Sequence, residues 1–172
     1  MKKHMISKSC IIFRSSSYGM WVLVAFLLAG CNQSPPGPPF DPRIEGFELV
    51  KMITGDDAIK AINQLHGRPI NLLRGFIAQY KGIHGEGTIW VSEASSQELA
   101  QRQLAVMIQK MKNSARSPFS HYRTFDRNGI KVIAFDGMGQ VHYVFKGNAW
   151  VYWITADAKC VEKILRHVQR TL

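Results

Sequence analysis

Cys160 stands in the first turn of an expected C-terminal helix, a position that permits two opposite chemistries. The positive end of a helix favours the thiolate, the reactive form of cysteine. Ile164 follows four residues later on the same face, where an unpaired cysteine acts as a small hydrophobe. Cys160 is therefore read as a structural residue, with a redox or intermolecular-disulfide site as the alternative. Beyond the first thirty residues the histidines are His66, His84, His121, His142 and His167. None has the i, i+4 helical spacing or the Cys/His clustering that metal coordination uses, so no metal site is expected. His84 in a glycine-rich loop and His142 beside aromatic residues are the two placed to touch a ligand. Asp56 and Asp57 open a helix, where capping and the helix dipole account for them. Gly82, Gly85 and Gly87 join two strands with no Gly-Lys-Ser/Thr after them, unlike a phosphate-cradling loop. No Gly-x-Ser-x-Gly elbow or Ser/His/Asp set is present, and neither a catalytic residue nor a cofactor is expected.

The run Trp150-Val151-Tyr152-Trp153 offers recognition instead. Side chains alternate along a strand, so residues 150 and 153 must point to opposite faces. One tryptophan should enter the core and the other remain at least partly available. Trp150, Tyr152 and Trp153, with His142 and His84, are the candidate ligand or partner contacts.

These residues need elements to hold them. Residues 47–53 read as a first strand. A helix follows, capped by Asp56 and carrying Ala58, Ile59, Ile62 and Leu65 on one face, with Gly67 and Pro69 ending it. Strands are expected over about 72–80 and 88–94, across a loop at 81–87. Ser95 and Glu98 have capping-box spacing ahead of a long helix whose face is Ala100, Leu104, Met107, Ile108 and Met111. Turn signals at Asn128-Gly129, Asp136-Gly137-Met138-Gly139 and Gly147-Asn148 separate four strand-like runs, an antiparallel meander. The first of these turns sets Phe125 opposite Val132, Tyr122 opposite Phe135 and Asp126 opposite Lys131 as an ion pair. The last sets Phe145 opposite Trp150, Tyr143 opposite Tyr152 and His142 opposite Trp153. Asp157 caps a closing helix buried through Val161, Ile164, Leu165 and Val168. The order β-α-β-β-α-β-β-β-β-α predicts an α+β fold, a mainly antiparallel sheet with helices packed on one face. Aromatic residues on both faces of the last hairpin require something to cover the second face.

The N-terminus carries an address. Of 172 residues, 22 are Lys or Arg and 12 are Asp or Glu, and all the acids lie beyond residue 31. Hydrophobic residues at 46% and charged residues at 20% exclude a disordered chain. Lys2, Lys3, Lys8 and Arg14 precede an apolar run from Gly19 to Gly30, the form of an export signal and too short to span a bilayer. The run ends in Leu28-Ala29-Gly30-Cys31, which resembles the lipobox of bacterial lipoproteins. That resemblance implies that Cys31 is alkylated with diacylglycerol, the preceding peptide is removed, and the new N-terminus is acylated. Asn32, where the family's inner-membrane proteins have Asp, implies an outer-membrane destination facing the periplasm in a double-membraned cell. In other cells the outer face of the plasma membrane is implied. Residues 1–30 are thus a signal peptide, 31–46 a lipidated cysteine and Pro-rich tether, and 47–172 one domain.

Within the domain, Gly55-Asp56-Asp57-Ala58, Leu65-His66-Gly67 and Trp90-Val91-Ser92 resemble a family of small bacterial lipoproteins of uncharacterised function. The resemblance implies an exported domain of this layout and no activity. Basic residues gather at Arg102, Lys110, Lys112, Arg116, Arg123, Arg127 and Lys131 against Asp126 alone, and the closing helix adds Lys159, Lys163, Arg166 and Arg170. Export makes nucleic acid an unfitting partner, whereas anionic head groups or an acidic envelope protein or ligand fit. The sequence reads as a lipid-anchored, non-enzymatic binding module. A small redox or tetrapyrrole-binding protein, or an enzyme with a dispersed site, remain open as alternatives.

Overall fold

The computed structural model describes residues 37–113, 115 and 117–172; the expected signal segment and Cys31 lie outside them. The elements are β1 (Phe47–Thr54), α1 (Gly55–His66), β2 (Arg74–Gly82), β3 (Gly85–Glu93), α2 (Gln97–Asn113), β4 (Phe119–Arg127), β5 (Ile130–Gly137), β6 (Gln140–Gly147), β7 (Trp150–Ala156) and α3 (Val161–Gln169). This is the α+β order read from the sequence. All seven strands form one antiparallel sheet, ordered β1-β2-β3-β7-β6-β5-β4.

The helices do not share one face, and that expectation is corrected. In β7, Tyr152, Ile154 and Ala156 pack with Val161, Ile164, Leu165 and Val168 of α3, while Val151 packs with Ala100, Leu104, Met107 and Met111 of α2. Alternation along β2 repeats the division: Phe76, Ala78 and Tyr80 join the α3 cluster, whereas Ile77 meets Ala58 and Ile62 of α1. Two helices therefore cover one face and α3 the other, giving three layers. The cause is the apolar character of both sides of the central strands, each of which must be shielded from water.

The α3 layer has a second component. Phe40 and Ile44, expected in a free tether, are 4% and 3% exposed within this core. The compact unit starts at Gly37 rather than Phe47. Prolines still exclude residues 38–43 from the ladder, yet a segment without sheet bonds can bury its apolar side chains. His167 Nε2 fixes it by donating to the Asp41 carbonyl at 2.8 Å.

Local chemistry moved several boundaries. β2 and β3 extend to Gly82 and Gly85, reducing the expected loop to the two-residue turn Ile83-His84. A Cβ at Gly85, where φ is +133°, would lie 2.1 Å from Asp157 Oδ2. That oxygen accepts the Glu86 N–H at 2.9 Å, so Asp157 clamps this hairpin with its side chain instead of capping α3. Ser96, not Ser95, caps α2, its Oγ accepting the Leu99 N–H at 3.1 Å. Asp56 lies inside the first turn of α1, after Thr54 at the cap. Leu65, expected on the buried face of α1, is 45% exposed.

The β4–β5 pairing has Phe125 opposite Val132 and Asp126 opposite Lys131, without an ion pair between the latter two. The last hairpin turns at Asn148-Ala149, so Phe145 faces Tyr152, Val144 faces Trp153 and His142 faces Thr155. This is a slip of two residues from the expected register, which leaves every side chain on its expected face. Gly147 has a different use, since a Cβ there would meet Leu172 at 3.1 Å. Each outer strand has a register shift, between Leu49 and Lys51 in β1 and between Ser120 and Arg123 in β4. His121 takes φ 50° at the second shift, and Tyr122 still meets Phe135 edge-on at 5.4 Å.

Candidate functional site

His142 is fully buried. Trp153 Nε1–H donates to its Nδ1 at 3.2 Å, with Thr155 Oγ1 3.1 Å from the same atom. Its Nε2–H donates to the Gly137 carbonyl at 3.0 Å. Both ring nitrogens are thus committed to the protein. Burial lowers the imidazole pKa, outweighing the Gly137 hydrogen bond and Asp136, which act the other way. This is a neutral structural histidine that fixes the Trp153 indole.

Trp150 and Trp153 project to opposite faces, as alternation requires, and both are half-buried rather than one being core and the other open. The Arg74 guanidinium lies 4.8 Å from the Trp150 ring centroid and also pairs with Glu93. Tyr152 is fully buried and stacks on Phe145 at 4.9 Å, so it offers no contact surface. Cys160 is 1% exposed, and burial, with Asp157 adding to it, pushes its thiol pKa up. Desolvation has overcome the helix end, so the site does not favour a thiolate. His84 is exposed on the β2–β3 turn, apart from the His142–Trp153 pair.

The concave surface lies elsewhere. Between α2 and strands β4 to β6 runs a groove of about 610 Å³, with Leu104, Ile108, Ile130 and Ile133 in its lining. Lys112, Lys131 and Lys146 also line it, and among the described residues none has a carboxylate within 4.0 Å. The Lys112 ammonium sits 4.0 Å from the Tyr122 ring centroid, which holds it over the groove. Asp126, across from Lys131, and Glu98, near enough to Lys146 to feel its charge, are the neighbouring acids. On the other flank of α2 a cleft of about 200 Å³ places Arg68, Arg102, Lys110 and His66 around Leu99 and Val106. Burial, followed by Lys110 and Arg68, lowers the His66 pKa, so this cleft already resists further positive charge.

The basic run in the sequence is thereby sorted into two groups. Arg123 binds Asp136 at 3.0 Å and Arg127 binds Glu162, so both are neutralised. Arg102, Lys110 and Lys112 on α2 and Lys131 on β5 are exposed without such partners among the described residues, and Arg116 lies outside them. Lys146 and Arg68 are the members that sequence reasoning missed, because strand pairing and the packing of α1 bring them in. Among the described residues no three His, Cys, Asp or Glu side chains converge as a metal site.

No protein-family model matches the chain, and no curated protein does. Among solved structures, the chain is similar to a GTP binding regulator from Thermotoga maritima, at 13% identity over 76% of this chain and 80% of that one, with a TM-score of 0.48.

Proposed function

We propose that this protein is a lipid-anchored cell-envelope lipoprotein that works as a binding module, with Cys31 bearing the lipid and the groove beside α2 receiving an anionic partner. The anchor rests on Leu28-Ala29-Gly30-Cys31 following an apolar run of export-signal length. Several acyl chains on one residue hold a protein firmly, since each buried CH₂ contributes about 0.8 kcal/mol. With Asn32 after the cysteine, the destination is the outer membrane, facing the periplasm, in a double-membraned cell, and otherwise the outer face of the plasma membrane.

The observation that carries the binding role is the lysine-lined groove. Three lysines without a carboxylate partner line a concavity of mixed polar and apolar character, whereas Arg123 and Arg127 of the adjacent strand β4 are paired. Such a surface suits a ligand or protein with negative charge beside apolar groups. Labelling cells with an alkyne fatty acid tests the anchor. The wild-type chain should label and Cys31→Ser should not; equal labelling of both would remove the lipoprotein reading.

A further inference from the structure

The described unit starts six residues after Cys31, at Gly37. A fully extended chain covers at most about 3.6 Å per residue, so the six steps from residue 31 to 37 reach about 20 Å. Pro38 and Pro39 line one cleft with Gly147, Asn148 and Leu172, which places this point of entry at the end of the sheet bearing the Asn148-Ala149 turn. The Asn128-Gly129 turn belongs to the same end, because β5 and β7 run parallel and both begin there. Lys131 and Lys146 are each two residues from one of these turns. The lysine groove therefore lies at the same end of the sheet as the point at which the tether enters, on the opposite face.

We infer that the α2 side of the domain docks on an anionic phospholipid surface, with Lys112, Lys131 and Lys146 against the head groups. The inference rests on Cys31 being lipidated, which would hold that end of the sheet within the reach just given, and on the match between the unpaired lysines and anionic head groups. Arg102, Lys110 and Arg68 continue the positive side beyond α2, and Val106, 40% exposed among them, adds apolar contact. The α3 side also carries cations, but its helix turns its apolar residues wholly into the core, and the cleft of about 390 Å³ on that side, beside Trp150 and Leu172, is lined by no lysine or arginine. Lysines near an anionic bilayer each change partitioning by about five-fold, so three of them give an effect on the order of 100-fold.

Lysine footprinting tests this directly. The mature full chain is placed in vesicles of phosphatidylcholine alone, or of phosphatidylcholine with phosphatidylglycerol, and treated with an amine-acetylating reagent read by mass spectrometry. Lys112, Lys131 and Lys146 should react at least five-fold more slowly with phosphatidylglycerol present, while Lys163 on α3 and Lys159 in the turn before it keep their rates. High salt should abolish the difference, as should the double variant Lys131→Glu/Lys146→Glu, read at Lys112. Equal rates in both vesicles, or protection of Lys159 and Lys163 instead, would overturn the docking. The mass of the N-terminal peptide reports acylation separately: an acylated chain with unprotected lysines refutes the docking and leaves the anchor intact. A non-acylated chain refutes the anchor, and its footprint with added vesicles then decides the docking by the same criterion.

Discussion

α3 and α2 cover opposite faces of one sheet on different terms. α3 is nine residues long and buries five of them, whereas α2 is seventeen long and buries four. The shorter helix belongs to the core, and Glu162 on its first turn takes both Arg127 and the Tyr143 hydroxyl, the latter at 2.7 Å. The longer helix leaves most of its circumference to solvent, with lysines and arginines lacking carboxylate partners. A helix fully occupied by packing has no surface to spare; one that packs by a narrow stripe keeps a surface that selection can use for something else.

The comparison breaks most readily through the core. Phe40→Ala should destabilise the domain by about 3–5 kcal/mol in chemical denaturation, a result a free tether would not produce. Leu165→Ala on α3 should cost about 2–5 kcal/mol, with Leu104→Ala on α2 near the low end of that range. Equal costs for the two leucines would erase the asymmetry between the helices.

A smaller effect, on the α2 side, depends on pH. The folded domain holds His142 neutral with a lowered pKa, whereas the unfolded chain protonates it near its ordinary value of about 6.5. The unfolded state binds the extra proton, so stability from this group is fully present above about pH 6.5 and declines as pH falls below it. His66 acts with the same sign. Urea midpoints at neutral and mildly acidic pH should therefore fall more steeply for the wild type than for His142→Gln, and parallel slopes would refute the assignment.

Smallest of all are the surface charges. Arg127→Gln should cost about 0.5–1 kcal/mol because its partner Glu162 is 42% exposed, while Lys131→Gln should stay within about 0.5 kcal/mol of wild type. Thermal melts of the two sharpen the contrast between a cation used for stability and one left over.

What the sequence disclosed divides along the reach of its signals. Helix stripes such as Val161, Ile164, Leu165 and Val168 were legible because they arise from neighbours within two turns. The face to which α3 returns was not, since an alternating strand pattern is symmetric between its two sides. Gly147 looked like a turn residue, and only the distant Leu172 explains it. Phe40 and Ile44 were hidden by the prolines around them. For the site, single-residue chemistry misled: Cys160, His142 and Tyr152 have reactive or adhesive side chains that burial has silenced. The lysine groove was half legible as a basic run, but its pairing pattern depends on contacts far apart in sequence, such as Arg127 with Glu162.

The register shifts in β1 and β4 also bear on behaviour in a crowd. Both open borders of the sheet are interrupted, one at Leu49–Lys51 and the other beside His121. An uninterrupted border would present a row of unpaired amides and carbonyls to the next molecule. Here a neighbour attempting to add a strand meets a kink on either side, so copies concentrated at one location can stand side by side without polymerising through their sheets.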